Sequence, residues 1–141
     1  MVTIKLKGRE IPLSYMSYEM LEIQQEIGPL DRAINIALGR NPDDENDTDK
    51  FGGAEHLKAL ATLIRILGNA GIEEAGEQYG KPDLTDRWIL KAMKPMEISL
   101  AGALCMKAVT EGMMSEIPEK EEEGPVDVTL EEMKKKDGAA G

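Results

Sequence analysis

The chain has 141 residues, 41% of them hydrophobic and 31% charged, with a formal net charge of −10. That length suits one modest domain with its own core, and the acidic surplus argues against a phosphate footprint on nucleic acid, which needs Lys and Arg in excess. Aromatic residues are only 4%, so any core has to be built from Leu, Ile, Ala and Met.

Val2, Ile4 and Leu6 alternate with Thr3, Lys5 and Lys7, and Ile11, Leu13 and Tyr15 alternate in the same way. With Gly8 between the two runs, this pattern predicts a β-hairpin that has one apolar face. Pro12 lacks a backbone donor, which predicts that its strand is at an edge or irregular. A lone hairpin is marginal in water and has to lie on helices.

A first helix is predicted from Ser17, with Met16, Met20, Ile23 and Ile27 at helical spacing and Gly28-Pro29 as its break. A second, short helix carries Leu30, Ala33, Ile34, Ala37 and Leu38, and Gly39 stands past its end as a stop signal. Residues 41–50, NPDDENDTDK, contain nothing apolar to bury and read as a mobile acidic loop. Their alternating oxygens fail the calcium pattern. Counted from Asp43, the sixth position is Thr48 instead of Gly and the twelfth is Ala54 instead of Glu. The next helix is expected over residues 54–69, with Leu57, Leu60, Ala61, Ile64 and Leu67 on one face. Gly68 and Gly71 lie near its end, and a short helix is expected over 72–79.

Residues 84–114 form the longest apolar-rich stretch, with the only Trp, the only Cys and much of the Met. Two helices joined at Pro95 are expected. Thr85 is the N-cap of the first, and Leu84 and Ile89 are spaced as a hydrophobic staple. Pro95 suits the first turn of the second. That second helix is apolar around most of its circumference, which predicts the centre of a bundle or a subunit interface. The small residues at 101, 105, 108 and 112 permit close helix approach. Beyond Ser115 the chain turns charged, and residues 116–141 read as a disordered acidic tail with a transient helix over 130–136.

The expected fold class is therefore mainly α: a compact bundle of about five or six helices with a small N-terminal hairpin. A helical domain spans 1–115, with the acidic tail at 116–141. No catalytic, cofactor or metal site is expected. His56 is the only histidine and is expected on an exposed helix start. Cys105, the only thiol, sits in the most apolar helix, where thiols are usually inert. A nucleophile without a positioned base and a zinc site without ligands are both poor readings. A single cysteine gives no internal disulfide. The start MVTIKLKGRE lacks a signal-peptide core, and no apolar run is long enough to cross a membrane. A binding protein in the cytoplasm is the expectation.

Several blocks together carry a family resemblance: the hairpin TIKLKGREIPLSY running into SYEMLEIQQEIG, then ILGNAGIEEAGE, then LTDRWILKAMKPMEISLAGALCMKAVTEGM, and finally the acidic tail. Residues 2–115 resemble the tail assembly chaperones of long-tailed bacteriophages and prophages of Gram-positive hosts. The resemblance implies a protein that binds the long helical tape measure protein and keeps it soluble. It also implies recruitment of the tail tube protein, made through a longer form produced by a −1 ribosomal frameshift. Such a protein acts in the bacterial cytoplasm and is absent from the mature virion. Lys134-Lys135-Lys136 can be encoded by an A-rich run of the kind on which ribosomes slip. The competing expectation is a small acidic interaction module of a phage or prophage, an adaptor or anti-repressor.

Periodicity, and not the resemblance, supplies candidate contact residues. Met96, Leu100, Leu104, Met113 and Met114, with Met16 and Met20, are the apolar positions available for a partner helix or for a homo-oligomer. Met adapts to more than one partner shape. The acidic surplus would keep such a complex soluble.

Overall fold

The alternation of Val2, Ile4 and Leu6 folds as expected. In the computed structural model, which describes residues 1–114, β1 (Thr3–Leu6) pairs antiparallel with β2 (Arg9–Pro12). The turn is tighter than the sequence suggests. Lys7 and Gly8 alone make it, with φ of 51° and 81°, the primed geometry that matches strand twist. Ile4 lies opposite Ile11 and Leu6 opposite Arg9, and the Leu13 N–H donates to the Val2 carbonyl at 2.8 Å. In such a ladder hydrogen-bonded and non-bonded pairs alternate, so Thr3↔Pro12 and Lys5↔Glu10 are the non-bonded pairs. Pro12 therefore costs the ladder nothing.

Five α-helices follow among the described residues: α1 (Ser17–Glu26), α2 (Leu30–Ala37), α3 (Ala54–Ala75), α4 (Asp86–Ala92) and α5 (Ile98–Met114). The mainly helical class with a small N-terminal hairpin holds. The tail 116–141 and its short helix lie outside the described residues. Gly39 ends α2 as expected, at φ 80°. The Gly39 N–H reaches the Ile36 carbonyl and the Arg40 N–H reaches that of Asn35, which is a Schellman ending. Thr85 caps α4 by accepting the Trp88 N–H at 3.1 Å, with Leu84 and Ile89 both buried. Pro95 opens a single 3-10 turn, Pro95–Glu97, ahead of α5, and the Glu97 carboxylate accepts the Lys94 N–H at 2.7 Å.

Two expectations are corrected. The first concerns the glycines at 68 and 71, which do not stop a helix. α3 runs through both to Ala75, and only a 3-10 turn, Glu77–Tyr79, follows. They are contact points: a Cβ on Gly68 would meet Leu84 Cδ1 at 2.7 Å, and one on Gly71 would lie 2.0 Å from the Pro12 carbonyl oxygen. Packing against the hairpin offsets the propensity cost of two glycines inside a helix.

The second concerns the centre of the fold. It is α3 and not the 84–114 stretch. His56, Leu60, Leu63, Ile64, Leu67 and Ile72 of α3 are fully or almost fully buried, with Ile23 of α1, Ile11 of β2 and Ile89 of α4 around them. α5 buries only the strip Ala101, Gly102, Cys105, Ala108 and Val109. The small residues at 101, 105 and 108 thus face this chain's own core, with Gly102 close to Leu38 Cδ2. Ile98 and Leu104 pack partly on the core, and Leu100, Met113 and Met114 are exposed among the described residues.

Residues 41–50, the acidic loop, carry a run of turns. The segment is tied by hydrogen bonds of its own. Asn41, Asp44 and Asp47 each accept the N–H two residues on, at 2.9 to 3.1 Å, and the Asn41 N–H donates to the Asp47 carbonyl. These consecutive Asx turns account for the alternating oxygens by backbone satisfaction. Backbone and Asn41 hydrogen bonds hold the Asp47 carboxyl below its ordinary value.

Polar ties join the elements. The Arg65 guanidinium of α3 bonds Glu26 of α1 and Asp86 of α4, and the Thr62 hydroxyl donates to Asp86 at 2.8 Å. Asn69 holds the segment before α4 by accepting the Leu84 N–H and donating to its carbonyl. Tyr15 buries its hydroxyl, only 5% of the residue being exposed, with no partner among the described residues. A Tyr15→Phe variant is therefore expected to be as stable as the parent or up to about 1 kcal/mol more stable, read by urea unfolding. A clear loss of stability would show that the hydroxyl is bonded.

Candidate functional site: an open groove beside the hairpin edge

β1 is paired on one side only. Its other edge is free, and the ladder fixes which groups face outward there: the backbone N–H and C=O of Thr3 and Lys5, which β2 does not use. No backbone bond from another element reaches either residue among the described residues. Along this edge lies a groove of about 340 Å³, walled by Thr3, Ile4, Lys5 and Leu6 on one side and by Leu100, Ala101 and Leu104 of α5 on the other. Glu10 and Glu97 stand at its rim.

The groove continues into a second concavity of about 500 Å³ that shares Lys5 and Glu97 and adds Lys7, Gly8, Lys91, Ala92 and Lys94. Four lysines thus converge at one end of an apolar groove, on a chain whose formal net charge is −10. None of the four forms an ion pair among the described residues, where the pairs are Arg32–Asp43, Arg65–Glu26 and Arg65–Asp86.

The sequence-derived contact residues separate into groups. Leu100 and Leu104 line the groove, with Leu100 61% exposed and Leu104 partly packed on the core. Met96, one turn before Leu100, is 95% exposed. Met113 and Met114, at the C-terminal end of α5, are exposed as well. Met16 is exposed at the N-cap of α1, whereas Met20 packs partly on the core. No groove residue comes from α1, so the two methionines there are not part of this site. Sequence reasoning missed the lysine end. Lys5 and Lys7 read as the polar face of a strand, and Lys91 and Lys94 drew no reading of their own. Only the fold brings them together.

Neither residue with obvious chemistry belongs to the groove. Cys105 is wholly buried and desolvation pushes its thiol up to about 12, so its thiolate is scarce near neutral pH. His56, expected to be exposed, is only 1% exposed. It sits under the loop before α3, with Nδ1 accepting the Gly52 N–H at 2.9 Å and its ring 4.8 Å from that of Phe51. Gly39 passes so close that a Cβ there would touch both rings. Hydrophobic spacing could not reveal this, because the partners come from the end of α2 and the loop.

Burial pushes the His56 imidazole below its ordinary range, with the Ala37 backbone opposing. A base whose folded pKa is lowered stays neutral in the fold while the unfolded chain takes up the proton. Stability is therefore full above the unfolded value of about 6.5 and falls as pH drops from there to the folded value. His56 is the only histidine, so a single imidazole resonance is expected to titrate below about 6.5. A midpoint at or above that value would show that burial does not hold the ring neutral.

Fold and groove together define a small helical protein with an open strand edge beside an apolar channel, a surface suited to a peptide or a partner helix. Comparison with protein-family models, curated proteins and solved structures returns no match. No cluster of metal-ligating residues occurs among the described residues, and no helix there is long and apolar enough to cross a membrane.

Proposed function

We propose that the protein is a binding protein and not an enzyme, and that it acts as a tail assembly chaperone of a long-tailed phage or prophage. In this reading it holds the helical tape measure protein in solution before the tail tube is built. The observation that carries the reading is the pair Met96 and Leu100, 95% and 61% exposed, the first in the 3-10 turn Pro95–Glu97 and the second four residues on in the first turn of α5. A protein that acts alone gains nothing from presenting two large apolar side chains so close together in the chain. A holdase needs such a surface, and Met supplies it without demanding one partner shape. The resemblance of residues 2–115 to that family supports the same role. The acidic surplus suits a protein that must keep an apolar helix from aggregating.

Co-expression with the long helical protein encoded downstream tests this. The expected result is that the partner becomes soluble and co-purifies with this chain. A partner that stays insoluble and separate would remove the chaperone reading. Recovery of a host regulator without any tail protein would favour the adaptor or anti-repressor reading. Intact masses from the native gene test the frameshift, whose expected sign is a minor longer product diverging near Lys134–Lys136.

A further inference from the structure

We propose that the free edge of β1 takes a third strand from a partner: an extended segment that alternates apolar and acidic residues. The partner's backbone would pair with the outward N–H and C=O groups of Thr3 and Lys5. Its apolar side chains would enter the channel formed by Leu100, Ala101 and Leu104, and its carboxylates would meet Lys5, Lys7, Lys91 and Lys94. This goes beyond the chaperone reading, because the occupant is a strand and not the helix of a tape measure protein.

Three independent observations converge on that occupant. The register leaves backbone donors and acceptors at Thr3 and Lys5 that neither β2 nor any other described element satisfies. Strand addition to an exposed edge draws affinity from such groups and specificity from pockets for alternate side chains. The channel beside the edge has an apolar floor, with Ile4, Leu6 and Ala101 buried and Leu100 still largely exposed. The charge at its end is opposite to that of the chain as a whole, and the four lysines have no acidic partner among the described residues.

Lysine on an edge strand ordinarily discourages pairing with a like strand. Here it would discriminate instead, repelling a basic segment and admitting an acidic one. A nucleic acid would meet the lysines but would leave the apolar channel unfilled, and the acidic body would repel it.

The test uses the full chain and a fluorescein-labelled synthetic peptide that alternates valine or leucine with glutamate, followed by fluorescence anisotropy. Two control peptides carry lysine in place of glutamate, or proline at alternate positions so that the backbone cannot pair. Saturable binding of the glutamate peptide is expected, at least tenfold tighter than either control and weakening as salt rises. The Lys91→Gln/Lys94→Gln double variant should bind at least tenfold more weakly. Thr3→Pro removes an outward N–H without touching the bonds to β2 and should weaken binding similarly. If Thr3→Pro does not fold, the proline peptide reads the same contact. No saturable binding, equal binding of the lysine peptide, or equal binding of the proline peptide would each overturn the proposal. So would cross-links showing the edge already occupied by a second copy or by the chain's own Glu119–Glu123. Failure of tape measure co-purification would leave this result unaffected, since the peptide assay contains no tail protein.

Discussion

Gly71→Ala is expected to lower the unfolding free energy by about 2–3 kcal/mol, although alanine is the better helix former by about 1 kcal/mol. The new methyl would lie 2.0 Å from the Pro12 carbonyl oxygen and 2.4 Å from its carbonyl carbon. Both are backbone atoms, held by the strand ladder and by the Ser14 N–H donating to the Leu67 carbonyl at 3.0 Å. The Ser14 hydroxyl also donates to Glu74 at 2.7 Å, fixing the same stretch on α3. Relief therefore requires β2 to move off the helix as a unit, opening the contacts of Ile11 and Leu13. For a domain of this size the melting temperature should fall by on the order of 10 °C.

Gly68→Ala is the control. There the methyl would meet Leu84 Cδ1 at 2.7 Å and Ile11 Cγ2 at 2.9 Å, both ends of side chains that can turn aside. The propensity gain then offsets much of the clash, and a loss below about 1 kcal/mol is expected. Equal melting temperatures for the two variants would mean that β2 does not lie against α3 at Gly71.

These two glycines also mark where the sequence stops being legible. Local rules succeeded wherever the cause was local. The alternation of Val2, Ile4 and Leu6 gave the strand, Gly39 gave the end of α2, and Thr85 gave the start of α4. Each is decided by residues within a few positions. Gly68 and Gly71 follow the same composition rule as Gly39 and obey a different cause, the approach of a strand more than fifty residues earlier in the chain. The same limit hid His56, whose neighbours Gly39, Phe51 and Gly52 belong to separate segments. It hid the Arg65 ties to Glu26 and Asp86 too. It also misplaced the centre of the fold. α5 is the more apolar helix by composition, but its bulk lies in large residues on one side and small ones on the other. The fully buried strip is mostly the small side, and of the large residues Ile98 and Leu104 are only partly covered. For the candidate site, helical spacing found Leu100 and Leu104, and it also drew in Met16 and Met20, which the fold keeps elsewhere. A two-stranded hairpin has edges, and these the sequence implied; it carried no sign that α5 lies beside the β1 edge or that Lys91 and Lys94 meet Lys5 and Lys7 there.

The second large effect separates binding from folding. Met96→Asp combined with Leu100→Asp should leave the melting temperature nearly unchanged, since substitutions at exposed positions usually stay within about 0.5 kcal/mol. Neither side chain belongs to the buried core, and Met96 is almost wholly in solvent. Two carboxylates, one in the 3-10 turn before α5 and one in its first turn, would nonetheless place charge where an apolar helix is proposed to lie. Leaving them unpaired under a partner would cost several kcal/mol, enough to weaken retention of the tape measure protein at least tenfold. Ala101→Asp is the contrasting variant. That residue is 1% exposed and packs inward, so it should lose stability and partner together. Retention at the parent's yield by the Met96→Asp/Leu100→Asp protein would remove α5 as the holding surface. Loss of partner with an intact melting transition would separate two faces of one helix: the small residues that bind it to its own core, and the large ones left for something else to cover.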